Sequence, residues 1–121
     1  MIMFPVSSSS RFFLYSAPAD MRKSFDGLSG LVSIYLKADP QSGDVYLFIN
    51  RARDRLKMLV WDRGGFWLFY KRLESGRFQL PGNGDSELSY QSLVMMLDGI
   101  DYMKIRRKKR YKMQKRLELN R

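Results

Sequence analysis

The chain contains no cysteine and no histidine. The first absence excludes a disulfide framework and any thiolate metal site. The second removes the usual general base and the commonest metal ligand. A metal site built from aspartate and glutamate alone stays formally open. No apolar run approaches the roughly 20 residues that a bilayer-crossing helix needs. The N-terminus lacks a basic start followed by an apolar core, so no signal peptide is expected and a cytoplasmic protein is. No cofactor, no small-molecule substrate and no membrane partner are expected. Acid is scarce too: 12 Asp and Glu stand against 22 Lys and Arg, a net charge of +10. What is present in quantity is apolar and aromatic. With 121 residues, 45% hydrophobic, the chain is expected to form one domain with a real core.

The charge is unevenly spread. Residues 1–50 hold four basic and four acidic side chains, and residues 51–81 hold eight and three. Residues 82–103 carry only acid, whereas residues 104–121 carry ten basic side chains and Glu118 alone. Two separate basic blocks suggest a polyanionic partner, with nucleic acid the first candidate. The division expected is a domain over residues 1–101 and a basic tail or helix over residues 102–121.

The richest stretch runs from Asn50 to Pro81 and holds both tryptophans. Two runs of aromatic and β-branched residues flank Asp62-Arg63-Gly64-Gly65, which reads as an antiparallel hairpin. A two-residue Arg63-Gly64 loop sets Trp61 opposite Phe66, Val60 opposite Trp67, and so on outward to Arg55 opposite Arg72. Side chains alternate along a strand, so one face becomes Leu56, Met58, Val60, Trp67 and Phe69. The other starts with Trp61, Phe66, Leu59 and Leu68 and ends with Lys57, Tyr70, Arg55 and Arg72. Like charges directly opposite one another are destabilising; the Arg55–Arg72 end therefore needs open water or an anion. A charged, solvated sheet edge is one reading of it. The other is a phosphate-binding surface with an aromatic ring to stack on, joined by Arg51, Arg53 and Arg77.

Elsewhere the pattern is coarser. Arg11 to Tyr15 reads as a short strand. Asp20 then reads as the N-cap of a helix with an apolar stripe at Met21, Phe25, Leu28, Val32 and Tyr35. Arg22 and Lys23 would sit in its first turn, either in solvent or as part of an anion site made with the helix amides. Gly27 and Gly30 would allow close approach to strands or mark a weak point. Asp44 to Ile49 is apolar on both faces, as a central buried strand is. Phe78-Gln79-Leu80 reads as a further short strand. Ser86 or Ser89 can cap a second helix, Tyr90 to Gly99, whose stripe could cover Trp61, Phe66, Leu59 and Leu68. The fold class expected is α+β: a small antiparallel meander of about four to five strands, one long helix packed on it, a second helix and the basic tail. In that tail Arg106, Arg107, Lys108, Lys109 and Arg110 form an unbroken cationic run, either a solubility tail or an arm for backbone phosphates.

These residues also carry a resemblance. Asp20-Met21-Arg22-Lys23-Ser24-Phe25-Asp26-Gly27-Leu28, Asp39-Pro40 with Gly43, and the stretch from Asn50 through Trp61-Asp62 and Gly65-Phe66-Trp67-Leu68 to Pro81 are similar to the two signature blocks of a transposon-encoded family. It is the small TnpB-type accessory protein, from the second open reading frame, of the insertion-sequence family sixty-six. The similarity runs from about Met1 to Asp101 and includes a closing segment from Ser89 through Leu97-Asp98-Gly99-Ile100-Asp101. The resemblance implies a part in transposition beside a separate transposase that carries the strand-transfer chemistry; it implies no defined activity and no catalytic residues.

Three functions follow for comparison. The first is a non-catalytic DNA-binding accessory factor, contacting element ends or non-specific duplex through Arg22, Lys23, Arg51, Arg53, Arg55, Lys57, Lys71, Arg72, Arg77 and the run at 106–110. The second is a module that docks on the transposase of the same element through Trp61, Phe66, Trp67 and Tyr70, since aromatics dominate binding hot spots. The third is a metal-dependent nuclease using Asp54, Asp62 and Glu74. Asp54 and Asp62 flank one strand, roughly 25 Å apart if it is extended, which is too far for a shared site, so no enzymatic activity is expected.

Overall fold

A computed structural model describes residues 4–81 and 86–98. Five strands, β1 (Phe12–Leu14), β2 (Val45–Ile49), β3 (Arg55–Asp62), β4 (Gly65–Arg72) and β5 (Glu87–Leu88), form one sheet in the order β4-β3-β2-β1-β5. Two helices, α1 (Phe25–Ile34) and α2 (Tyr90–Leu97), complete the α+β fold.

The sheet is mixed, not a pure antiparallel meander. β1 runs parallel to β2, while the β2–β3, β3–β4 and β1–β5 pairs are antiparallel. Parallel neighbours need a crossover of a dozen or more residues. The segment between Leu14 and Val45 supplies it and contains α1. Nothing in the three-residue pattern Phe12-Phe13-Leu14 reveals strand direction.

All five residues of β2 are buried, as expected of a central strand. Alternation sends Val45, Leu47 and Ile49 to one side, where they pack with Phe12, Leu56, Val60, Phe78 and the α2 residues Leu93 and Met96. Tyr46 and Phe48 go to the other, with Leu59 and the α1 residues Leu28 and Val32. Each helix therefore covers one face. The assignment of α2 differs from the expectation: α2 lies on the Leu56–Val60 face, and Leu59, Phe66 and Leu68 pack in the cluster that contains α1. Amphipathic spacing says that a helix has an apolar side, but does not say which sheet face receives it.

The hairpin register is the expected one at every position, from Asp62 opposite Gly65 to Arg55 opposite Arg72. Arg63 (φ 46°) and Gly64 (φ 88°) both take left-handed backbone at its tip, as a two-residue type I′ turn requires. Phe78-Gln79-Leu80, by contrast, forms no strand. Phe78 is instead a fully buried plug, its amide on the Arg53 carbonyl at 2.7 Å. The fifth strand is Glu87–Leu88, held at the β1 edge by the forked ion pair of Glu87 with Arg11 at 2.9 Å.

α1 is shorter than the long helix expected and starts later. Asp20 does not cap it; the N-cap is Ser24. Residues 20–23 form a separate turn in which Asp20 accepts the Lys23 amide through its carbonyl (3.0 Å) and the Arg22 amide through its carboxylate (2.9 Å). Asp and Asn compete for nearby amides in turns as readily as they cap helices. Of the two serines expected as caps of α2, Ser89 is the one that caps it, its hydroxyl accepting the Ser92 amide at 3.1 Å. The cationic run at 106–110, with all of residues 102–121, lies outside the described residues.

Neither α1 glycine faces a strand. A Cβ at Gly27 would lie 3.1 Å from the Lys23 side chain, whereas one at Gly30 would meet nothing within 4 Å. Gly30→Ala should therefore stabilise the protein by about 0.5–1 kcal/mol through helix propensity alone. Phe48→Ala, at a fully buried site, should cost about 3–5 kcal/mol. Urea unfolding of both variants checks the pair; a destabilised Gly30→Ala would show that the helix environment is tighter than described.

Candidate functional site

The loop after β2 is held rigidly by one side chain. Asn50 accepts the amides of Asp54 (3.1 Å) and Arg55 (3.0 Å) on its Oδ1 and donates its Nδ2 to Asp54 Oδ1 at 2.7 Å. Its backbone adds two more bonds, from the Arg53 amide and to the Arg55 carbonyl. Arg53 takes left-handed backbone (φ 61°), an uncommon geometry for a non-glycine residue. The loop is also tied to the chain beyond the hairpin, by Leu73 N–H on the Asp54 carbonyl and Phe78 N–H on that of Arg53. The Asn50 side chain and these backbone bonds together fix the loop and leave the side chains of Arg51, Arg53 and Arg55 to project.

The 20–23 turn reaches the same place through Lys57. This lysine is only 6% exposed. Its ammonium donates to the carbonyls of Met21 (2.7 Å) and Lys23 (2.8 Å) and sits 4.8 Å from the centroid of the Tyr70 ring. Hydrogen bonds to a charged donor, together with a cation over an aromatic face, offset the cost of burying the charge.

The result is an open groove of about 540 Å³ lined by Ala19, Asp20, Met21, Arg22, Asn50, Arg51, Ala52, Arg55 and Tyr70. A second depression, lined by Arg55, Tyr70 and Arg72, continues it along the sheet edge. Arg22, Arg51, Arg55 and Arg72 therefore converge around one half-exposed tyrosine, although they come from three separate parts of the chain. Among the described residues the side chains of Arg51 and Arg55 have no acidic partner. Arg22 forks onto Asp20 at 2.7 Å, and Arg72 onto Glu74 at 2.8 Å, both in solvent. The Arg22 fork and amide hold the Asp20 carboxyl down at about 2, from its usual 3.8. The Arg72 guanidinium is pushed up by its bond to Glu74.

The other sequence-predicted residues lie elsewhere. Arg53 lines a neighbouring cleft at the carboxyl ends of β1 and β2, with Tyr15, Pro18, Asn50 and Arg51. Lys23 packs against the start of α1 at Gly27. Arg77 lines neither groove. Lys71 is on the opposite face, donating to the Leu97 carbonyl at 2.6 Å and so satisfying the end of α2. Lys57 is buried on backbone carbonyls, which makes it a clamp rather than a surface contact. The aromatic residues divide as well. Trp61 and Phe66 meet edge to face (4.9 Å), while Trp67 is on the other face, stacked on Phe69 at 6.1 Å with its indole N–H on Asp62. Tyr70 belongs with the arginines. The contribution of Asn50 was not read from the sequence; an Asn directly before a turn and a strand is the signal that could have found it.

Among the described residues no three Asp or Glu side chains gather to hold a metal ion, and no helix is long and apolar enough to cross a membrane. Fold and site together define a small α+β protein with a basic and aromatic groove at one end of its sheet. The chain belongs to the IS66 Orf2-like protein family, whose model matches residues 10–107. Two relatives come from Sinorhizobium fredii. The uncharacterised protein y4jC is 34% identical over 108 residues, covering 88% of this chain and 92% of the relative. The uncharacterised protein y4hO is 34% identical over 102 residues, covering 83% and 89%. No solved structure matches the chain.

The clamp can be tested apart from any ligand. Lys57→Met keeps the length of the side chain but leaves two carbonyls unpaired, and should cost about 1.5–3 kcal/mol. Hydrogen exchange at the amides of residues 22 and 23 should accelerate more than at β2. Unchanged stability would mean that the ammonium does not hold the turn.

Proposed function

We propose that this chain is an accessory protein for transposition of an insertion sequence, and that it binds duplex DNA without catalysing a reaction on it. Membership of the IS66 Orf2-like family supports the accessory role. The observation that carries the DNA reading is the convergence of Arg22, Arg51, Arg55 and Arg72 around Tyr70. Arginine forks match phosphate oxygens in a bidentate manner. Two of the four already touch a carboxylate, but exposed pairs of this kind contribute about 0–1 kcal/mol, so a phosphate can take the carboxylate's place. Tyr70 adds a hydroxyl donor and an apolar ring at the centre. Among the described residues neither α1 nor α2 holds a lysine or arginine to offer a major groove; contact is with the phosphate backbone and sequence preference is weak. The run Arg106–Arg110 adds non-specific affinity.

The alternative is docking on the transposase through aromatic side chains. Trp67, 49% exposed and stacked on Phe69, favours it. The division of Trp61 and Phe66 from Trp67 onto opposite faces counts against a single aromatic patch.

Duplex affinity measured against salt separates the two. The logarithm of the binding constant should fall linearly with log salt, with a slope of about −0.9 per phosphate neutralised. The double variant Arg55→Ala/Arg72→Ala should flatten that slope by about 2. Affinity insensitive to salt, with transposase capture that survives nuclease treatment, would replace DNA binding by docking.

A further inference from the structure

β4 is the outer strand on its side of the sheet, and it is long, at eight residues. The opposite edge, β5, has two. Natural proteins guard such an edge with proline, a bulge, inward charge or a covering segment. β4 has no proline, and its pairing with β3 runs through eight consecutive positions without a bulge. Its two cations, Lys71 and Arg72, come only at the end. Among the described residues no backbone hydrogen bond from another segment reaches it.

Which backbone groups are open follows from the turn. In a two-residue hairpin the flanking pair, here Asp62 and Gly65, exchanges hydrogen bonds, and bonded and non-bonded pairs then alternate. Gly65, Trp67, Phe69 and Lys71 therefore bond to β3. The N–H and C=O groups of Phe66, Leu68, Tyr70 and Arg72 point outward from the sheet.

The side chains choose the partner. Aromatic rings occupy positions 66, 67, 69 and 70 of the strand and cations its last two positions. A second β4 laid parallel would put Lys71 and Arg72 against their own copies, which is repulsive. Laid antiparallel about Phe69, it puts Phe66 opposite Arg72, Trp67 opposite Lys71 and Leu68 opposite Tyr70, with the two Phe69 rings at the centre. Every outward-facing residue then meets an outward-facing residue. Arg72, otherwise held only by its exposed pair with Glu74, meets the Phe66 ring, an arrangement attractive by about 0.5–1 kcal/mol for an exposed pair. The Trp67 ring lies over the stem of Lys71, whose ammonium stays on the Leu97 carbonyl. Trp67 and Tyr70, 49% and 52% exposed, are the large side chains that this pairing covers.

We infer that this chain forms a two-fold dimer by antiparallel pairing of β4 with β4 of a second copy, joining two sheets into one of ten strands. The interface is isologous, as a two-fold requires. The pairing draws on Tyr70 and Arg72, which the DNA reading also uses, and it sets two basic grooves on the same side of the joined sheet. Sedimentation of nucleic-acid-free protein and the salt dependence of duplex binding fail separately.

Sedimentation of the full, nuclease-treated chain tests it, in salt high enough to screen the repulsion between two copies of net charge +10. A concentration-dependent dimer is expected. Trp67→Lys, which sets lysine against Lys71 of the second copy, and Tyr70→Pro, which removes one outward amide while sparing the β3 ladder, should both sediment as monomers with unchanged circular dichroism. In the unsubstituted protein, amide exchange at Phe66, Leu68, Tyr70 and Arg72 should slow as concentration rises, a readout that does not depend on a variant folding. A monomer at all concentrations, exchange at those four amides independent of concentration, or a dimer retained by both folded variants would overturn the inference.

Discussion

A buried ammonium group is the constraint on which the site depends. Lys57 lies on the face of β3 that carries Leu59 and Trp61, a position where alternation alone would place an apolar side chain. Its bonds to the Met21 and Lys23 carbonyls join a turn early in the chain to the middle of the hairpin. In an α-helix those carbonyls would accept amides one turn further on. Taken by Lys57, they mark the place where helix is replaced by a turn, and α1 starts at Phe25 instead. The same ammonium faces Tyr70. One cation thus brings Arg22 beside Arg55 and sets the ring between them.

Around that clamp the charges are arranged in unequal states. Arg22 and Arg72 rest on Asp20 and Glu74, whereas Arg51 and Arg55 point into the groove without a carboxylate among the described residues. The cross-strand opposition of Arg55 and Arg72 is eased because Glu74 draws one of the two aside. With two of its four arginines paired and two without a carboxylate among the described residues, the site keeps a net positive charge. Exposed ion pairs are weak, and in the proposed DNA complex the release of counterions from the duplex would supply the driving force as phosphate displaces the two carboxylates.

Much of the sheet was legible in the residues. Asp62-Arg63-Gly64-Gly65 between two strongly patterned runs set the hairpin register correctly, because a slip of one residue would exchange its two faces. Val45-Tyr46-Leu47-Phe48-Ile49 announced a central strand through its lack of alternation, and Ser86 and Ser89 announced a cap without saying which of them makes it. What was not legible depends on long-range partners. Asp20 is equally suited to a turn and to a cap, and the difference is made by Lys57, far along the chain. The parallel pairing of β1 has no local signature. Phe78 looks like part of a strand but serves as a plug. Glu87-Leu88 becomes a strand through Arg11, 76 positions away. Of the cations singled out by charge alone, Lys57 and Lys71 satisfy carbonyls, while Arg22, Arg51, Arg55 and Arg72 meet around Tyr70. Composition identifies basic blocks; only the tertiary fold sorts structural cations from presented ones.

The central claim is that these four arginines and Tyr70 act as one surface for DNA. Titration of the isotopically labelled protein with a short duplex, followed by amide and arginine side-chain resonances, tests it most directly. The account expects the Nε–H signals of Arg22, Arg51, Arg55 and Arg72 and the Tyr70 amide to shift together with one apparent affinity, while the amides of α2 stay in place. Shifts confined to Trp67 and the α2 face, or an absence of shifts at all four arginines, would contradict it.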